Sequence, residues 1–296
     1  MYHIIMNPTA GKERVRRKAE EVKKIFAARG VEFTVYETTH SGEAKEIAQK
    51  LTSATADAAD AATDKPIDLI VVGGDGTLHE ALGGIQDLSR CRLGLIPLGT
   101  GNDFAAAAGI PEDVEKAAEI ILDGAAKETD CLEVDGVRCM NVAGLGIDVD
   151  VLVRCNKGKM HGKLKYLMSL IRSLFSFKGI ELEYESGEKR GKHKALIAAA
   201  CNGKQFGGGI KICPSADISD GQMDVIVVDC IGFFAIIKAF IKLMGGKILE
   251  YPAAHHFRAD RLVVRPSTPC TVQLDGELYD NLAFDVKVCK GLMMYR

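Results

Sequence analysis

Val71-Val72-Gly73-Gly74-Asp75-Gly76-Thr77-Leu78-His79-Glu80 is the stretch from which the fold can be read. The apolar run Ile67 to Val72 reads as a buried strand, and a helix is expected to begin near Thr77. Two glycines between a strand and a helix let the backbone turn sharply. They also let its N–H groups meet an anion where a Cβ would stand in the way. The helix start adds its positive end. A phosphate-binding loop is the natural reading, and Asp75 beside phosphates then calls for a cation, magnesium being the one that hard oxygen donors suit. The same spacing also fits a plain strand-to-helix turn with Asp75 as its cap.

A second loop of the same kind, Ile96-Pro97-Leu98-Gly99-Thr100-Gly101-Asn102-Asp103-Phe104, follows the strand Leu93 to Pro97. Its glycines flank a hydroxyl and an amide suited to a nucleotide, or else it is a turn closed by an Asn/Asp cap. Two such loops on successive strand ends support one shared phosphate site more than either does alone.

Around these loops the first half alternates. His3 to Met6 reads as a strand; Val15, Ala19, Val22 and Phe26 mark one face of a helix closed by Gly30. A β-rich run, Val31 to Thr38, precedes a helix capped by Ser41, and Pro111 opens a helix through Val114, Ala118, Ile121 and Leu122. Strand and helix in alternation imply a parallel sheet covered on both faces, with ligands at the carboxyl ends of its strands. The low-complexity Ala/Asp/Thr-rich segment Ser53 to Lys65 reads either as an extension of the helix before it or as a surface loop, and no chemistry is assigned to it.

From about Thr129 the pattern changes. Asp135-Gly136 is a two-residue hairpin signal. Alternating or β-branched runs follow at Ile180 to Tyr184, Ala195 to Ala200, Met223 to Val228, Leu262 to Arg265, Thr271 to Leu274 and Phe284 to Val288. Two helices, Lys163 to Phe177 and Phe233 to Met244, interrupt them. The chain therefore reads as an α/β domain over residues 1–128 and a largely antiparallel β domain over residues 129–296.

Composition sets limits on function. The 296 residues are 47% hydrophobic and 26% charged, with a formal net charge of -2. No strongly basic domain argues for nucleic acid. The nine cysteines form no CxxC pair, which points away from a zinc site or disulfide framework and toward a reducing compartment. The N-terminal apolar stretch is too short for a signal peptide. Ile231 to Met244 contains Lys238 and Lys242 and falls short of the roughly 20 residues a spanning helix needs. A cytoplasmic protein is expected, peripheral to the membrane where local patches allow. One such patch is Lys157 to Lys178, where basic residues alternate with Leu164, Leu167, Leu170, Ile171, Leu174 and Phe175 at helical spacing.

In order along the chain, Asn7-Pro8-Thr9-Ala10-Gly11, GGDGT at Gly73 to Thr77, PLGTGNDF from Pro97, Pro214-Ser215-Ala216-Asp217 leading to Asp220-Gly221, and Asp275-Gly276-Glu277 resemble the signature of the bacterial diacylglycerol kinase and lipid kinase family. GGDGT alone is shared with NAD kinases; the ordered set is more specific. The resemblance implies a nucleotide domain followed by a β-sandwich, with the active site in the cleft between them. It implies an ATP site lined by Asn7, Pro8, Thr9, Ala10, Gly11, Thr38, Gly74, Asp75, Gly76, Thr77, Glu80 and Thr100, where Thr38 is carried over because it lies four residues before Gly42. Glu277 resembles the general base, and Asp75, Asp130 and Asp275 the acidic group that holds magnesium through water near the phosphates. Asp217, Asp220 and Gln222 resemble a second, structural magnesium site, with the Asp220 carboxylate and the main-chain carbonyls of the other two as ligands. On the residues alone, Asp275-Gly276-Glu277 also reads as a surface turn, and Asp220-Gly221 as a hairpin turn. The expected acceptor is a membrane lipid, diacylglycerol first, with a sphingoid base or phosphatidylglycerol as alternatives. NAD phosphorylation or a non-catalytic nucleotide or lipid sensor would be different functions, and a homodimer is compatible with any of these.

Overall fold

The structure, a computed structural model, describes residues 1–8, 13–53, 66–157 and 163–296. The chain forms two compact units, Met1–Asp130 with Lys290–Arg296, and Cys131–Cys289.

The first unit runs β1 (Tyr2–Met6), α1 (Glu13–Ala28), β2 (Phe33–Glu37), α2 (Glu43–Thr52), β3 (Ile67–Gly73), α3 (Asp75–Gly84), β4 (Cys91–Pro97), α4 (Asp103–Ala108) and α5 (Val114–Asp123). The apolar face foreseen on α1 is the buried one: Val15, Ala19, Val22 and Phe26 all pack inside. Strands β1, β2, β3 and β4 pair in parallel in the order β2-β1-β3-β4. β3 is buried along nearly its whole length, as expected of a central parallel strand between helical layers. Two helix starts differ from the sequence expectation. Gly42, at φ 89°, precedes α2 without a side-chain cap. The Ser41 hydroxyl instead donates to Glu80 Oε1 at 3.1 Å. α5 is capped by Asp113, whose carboxylate accepts from the Lys116 amide, two residues beyond Pro111.

The second unit continues from β5 (Ala126–Val134) through β6 (Val137–Cys139), β7 (Val142–Gly146), α6 (Ile147–Lys157), α7 (Lys163–Ser176), β8 (Ile180–Ser186), β9 (Lys189–Cys201), β10 (Met223–Asp229), α8 (Phe233–Met244), β11 (Ala254–Ala259), β12 (Arg261–Pro266), β13 (Val272–Leu274), β14 (Glu277–Tyr279) and β15 (Phe284–Tyr295). Within this unit the pairings are antiparallel, and the strands form a β-sandwich. Asp135 and Gly136 both adopt positive φ, 46° and 82°, as a two-residue hairpin turn requires. Alternation along β9 splits the core. Ala198 and Ala200 face the cluster around Val225, Val227 and Leu262, while Ile197, Ala199 and Cys201 face a second cluster with residues of α6, α7 and α8.

The helix α6 was not foreseen, because Ile147 to Val153 is rich in β-branched residues. Two acids in its first turn, Asp148 and Asp150, favour the helix N-terminus, and Ile147 and Val151 anchor it in the core. The last seven residues also depart from the expected 129–296 domain. β15 leaves the sandwich and pairs in parallel with β4 through Met293 and Met294. The buried Asp68 carboxylate accepts from the Arg92 guanidinium twice at 2.6 Å and from the Tyr295 hydroxyl at 2.7 Å. Burial and the neighbouring Asp68 carboxylate push the Tyr295 phenol far above its ordinary value, so it stays a donor and holds the C-terminal strand to the first unit.

Candidate active site

The carboxyl ends of β1, β2, β3 and β4 form one edge of the parallel sheet, the edge where α/β proteins hold ligands. The two glycine loops meet there. Leu98 N donates to Gly73 O at 2.8 Å. A Cβ built on Gly74 would fall 2.9 Å from the Gly99 Cα, a clash between two backbones. Gly73 is held bare for a different reason, since its Cβ would fall 2.7 Å from the Thr77 side chain.

Asp75 reaches across to the second loop, its Oδ1 accepting from the Phe104 amide in the first turn of α4 at 3.3 Å. It therefore links the two loops rather than only capping its own helix. Gly74, the residue before α3, offers no side-chain cap, which suits a helix N-terminus meant to face an anion. Asn102, left-handed at φ 54°, donates through Nδ2 to Gly99 O at 3.1 Å and fixes the second loop from within. Its buried Oδ1 has no hydrogen-bond donor among the described residues.

The remaining candidates of the first unit are placed as follows. Asn7, following β1, donates its amide to Thr77 Oγ1 at 3.4 Å, and Pro8 is half-buried beside it. Thr9, Ala10 and Gly11 lie outside the described residues. Thr38 is buried, its N–H donating to Met6 O at 2.8 Å at the end of β2. The neighbouring Thr39 uses both its N–H and hydroxyl on Glu43 Oε2, holding the first turn of α2. Gly76, Thr77 and Glu80 follow on α3, and Thr100 is exposed on the second loop. Asp130 is a buried strand residue of β5, 2% exposed.

In the second unit, Asp275 and Gly276 are the two turn residues between β13 and β14, at φ 53° and 92°. The turn reading was therefore correct, and the turn is unusually well fixed. Asp275 Oδ1 accepts from the Asn141 amide at 2.8 Å, the Val142 amide at 3.1 Å and the Cys139 thiol at 3.0 Å, and Oδ2 from the Met140 amide at 2.7 Å. Burial and the adjacent Asp275 carboxylate push the Cys139 thiol well above its ordinary value, so it remains an S–H donor. Gln273 Oε1 accepts from the Gly276 amide at 3.0 Å. Glu277 follows at the start of β14, exposed, its carboxylate in no hydrogen bond or ion pair among the described residues.

Reading the sequence for motifs missed the side chains that brace residues 140–142, whose amides meet this turn. Asn141 stands between apolar Met140 and Val142, its amide donating to Gln205 O, and Asn202 ends the apolar run of β9, its amide donating to Met140 O at 2.7 Å. A polar residue closing an otherwise apolar strand is the signal that would have found them.

At the third motif each carboxylate closes a local turn. Asp217 Oδ1 accepts from the Ser219 amide and hydroxyl, and Asp220 Oδ1 from the Gln222 amide at 3.0 Å. Asp220 Oδ2 also lies 3.2 Å from an Arg258 guanidinium nitrogen.

For magnesium beside phosphates, the Asp75 carboxylate is the hard oxygen donor that fits, held in place yet still next to the paired loops. Asp275 fits less well, since four donors already occupy its oxygens. Gly74 and Gly99 pack backbone against backbone, so that the two loops approach each other as closely as only glycine at both positions allows.

Comparisons with known proteins agree with this layout. Residues 1–134 match the family model of the diacylglycerol kinase catalytic domain, and residues 141–294 that of the YegS C-terminal NAD kinase beta sandwich-like domain. A diacylglycerol kinase of Bacillus subtilis is 31% identical over 279 residues, covering 93% of this chain and 88% of that protein. The YegS-like probable lipid kinase of Xanthomonas campestris is 32% identical over 289 residues, covering 93% and 89%. A crystal structure of a candidate diacylglycerol kinase from Bacillus anthracis superposes with a TM-score of 0.79 at 24% identity, covering 99% of this chain and 96% of that one, and so shares the fold. The chain belongs to the diacylglycerol kinase and YegS-like family of lipid kinases.

Proposed function

We propose that the protein transfers the γ-phosphate of ATP to the free hydroxyl of diacylglycerol, giving phosphatidic acid and ADP, with magnesium as the required ion. The observation that supports the nucleotide half is the contact of Gly74 with Gly99, which brings the two glycine loops together at the carboxyl ends of the parallel strands, where their backbone amides suit a phosphate. Backbone amides around the loops and the start of α3 would hold the phosphates in line for displacement. Magnesium, when bound, would neutralise charge on the phosphates, and Asp75 is the residue placed to hold it.

The acceptor half rests on Glu277. A lipid alcohol is a weak nucleophile until its proton is taken up. As the hydroxyl oxygen bonds to the γ-phosphorus and the bond to the β-phosphate oxygen breaks, the proton passes to the Glu277 carboxylate. A carboxylate beside a well-fixed turn, with no hydrogen bond or ion pair among the described residues, suits that role. Asp275 would act here chiefly by holding the turn.

A lipid acceptor also gives a use to the exposed apolar groups of the second unit. α8 buries Ile236 and Ala239 in the core, yet its other side presents Phe234, 80% exposed, and Ile241, 66% exposed, with Ile237 and Met244 in line and Lys238 between. α7 likewise exposes Leu164, Met168 and Phe175. Apolar groups among lysines suit the surface of an anionic bilayer, where the protein would take up its substrate. Among the described residues no helix is long and apolar enough to cross a membrane.

Diacylglycerol is preferred among acceptors because relatives spanning most of the chain carry that name. The test is transfer of label from γ-labelled ATP, with magnesium, into mixed micelles of diacylglycerol, phosphatidylglycerol, ceramide, sphingosine or undecaprenol, with NAD as control. Label in diacylglycerol is the expected result. Label in another lipid corrects the acceptor, label in NAD overturns the lipid reading, and nucleotide binding without transfer favours a sensor.

A further inference from the structure

Three neighbouring strands of the second unit bring two imidazoles and a carboxylate together in a place the kinase reading does not use. His193 lies on β9, Asp229 ends β10, and His255 lies on β11 opposite Val227. The β9–β10 register shifts between Val228 and Asp229. A bulge of this kind re-aims a side chain. The backbone after the shift is fixed by Asp229 N donating to Ala253 O at 2.9 Å and Cys230 N to Lys194 O at 2.7 Å.

The Nδ1 of His193 lies 2.7 Å from Asp229 Oδ1, and the Nε2 of His255 lies 2.7 Å from Asp229 Oδ2. All three donor atoms fall within 4.8 Å of one another. The imidazole rings are 4.7 Å apart between centroids, tilted by 52°. Tyr184 stacks on His193 at 5.7 Å and packs against Phe257 at 5.3 Å, an apolar wall that restrains the first ligand. Side-chain exposures of 15% for His193, 33% for Asp229 and 41% for His255 leave the opposite side open to an ion and to water.

We propose that His193, Asp229 and His255 form a binding site for a divalent transition metal, zinc being the expected ion, which ties β9, β10 and β11 together. Two imidazole nitrogens and one carboxylate are a donor set that zinc accepts, with water as the fourth ligand. Magnesium prefers an all-oxygen octahedron and does not compete well for imidazole. Tetrahedral zinc at bond lengths of roughly 2.0–2.2 Å sets its ligand atoms about 3.3 Å apart. The two contacts then open by about half an ångström, which small side-chain rotations supply in a half-exposed cluster. The other His-containing group, Cys213, Asp224 and His256, is less suited, because the Arg258 guanidinium stands 3.7 Å from the Asp224 carboxylate and opposes a second cation.

The site is independent of phosphoryl transfer and is tested without an activity assay. Metal-free full-length protein in excess magnesium is titrated with Zn2+ by calorimetry and with Co2+ in the visible spectrum, and its melting temperature is followed. The expected result is one ion per chain, a raised melting temperature, and cobalt d–d absorption of a four-coordinate site. His255→Gln alters a partly exposed strand residue and should fold; it and Asp229→Asn should each weaken uptake by at least about tenfold and remove the thermal shift. No uptake by the wild type, or uptake unchanged in both variants as thiol-bound zinc would give, overturns the proposal.

Discussion

Gly74 and Gly99 occupy each other's side-chain space: a Cβ on Gly74 would lie 2.9 Å from the Gly99 Cα, and one on Gly99 would lie 2.6 Å from the Gly74 Cα. Neither neighbour can swing aside, because both are backbone. Gly74→Ala and Gly99→Ala should each cost about 1–3 kcal/mol of stability through overpacking and strongly weaken binding of a non-hydrolysable ATP analogue. Gly83→Ala on α3 meets nothing nearer than the Lys45 side chain at 3.9 Å and should leave binding intact, with a gain of up to about 1 kcal/mol. Wild-type nucleotide affinity in Gly74→Ala would remove the phosphate-loop reading.

Glu277→Gln should lower kcat by about 10²–10⁴-fold while ATP-analogue binding and the melting temperature stay near wild type, because the exposed carboxylate makes no hydrogen bond or ion pair among the described residues. Steady-state kinetics beside a thermal melt separates these effects. Unchanged turnover would take Glu277 out of the mechanism.

Asp275→Asn tests whether this acid acts by fixing the turn. The asparagine places an NH2 group where an oxygen now accepts amides of residues 140–142, costing about 1–3 kcal/mol for the donors left unpaired. Turnover should fall with stability, and added magnesium should not restore it. Recovery at high magnesium would instead identify Asp275 with the ion's water shell.

Asp148, buried in the first turn of α6, should set part of the pH dependence of stability. Burial pushes its carboxyl from 3.8 up to about 6, against the opposing pull of the Val149 amide and the Gln273 side chain. Because the folded protein keeps this proton to higher pH than the unfolded chain, the group's contribution is fully present below about pH 4 and is lost as pH rises through about 6. The difference amounts to about 3 kcal/mol. Asp148→Asn should therefore match wild type near pH 4 and be more stable by up to that amount near pH 8, measured by urea unfolding at each pH. Parallel pH profiles for the two proteins would show that Asp148 is not the titrating group.

On α8, Phe234→Ser and Ile241→Ser should change stability little, since both side chains are already in water. Each should cut partition onto anionic phosphatidylglycerol vesicles by about tenfold or more, from the loss of roughly 1.5–3 kcal/mol of apolar burial per side chain. Unchanged sedimentation with vesicles would return α8 to an ordinary surface helix.

The two glycine loops, the parallel first unit and the antiparallel second unit were legible because each is written locally. A glycine between a strand and a helix, Asp135-Gly136 between two apolar runs, and the 3.6-residue spacing of Val15, Ala19, Val22 and Phe26 state their conformation without reference to distant residues. Helix α6 was not legible, because its β-branched residues favour a strand until acids in the first turn and packing of Ile147 and Val151 overrule them.

The sequence by itself determined the strand-helix alternation of the first unit, the antiparallel character of the second, the two glycine loops, and the acids and amides available for chemistry. Only the tertiary structure decided what those groups are bonded to. It showed that Asp75 reaches to Phe104, that Asp275 is held by amides 133 to 135 residues earlier in the chain, and that Tyr295 returns to Asp68 across 227 residues. The reason is physical: turn and helix preferences act over a few residues, whereas a buried carboxylate must find its hydrogen-bond donors wherever the folded chain brings them.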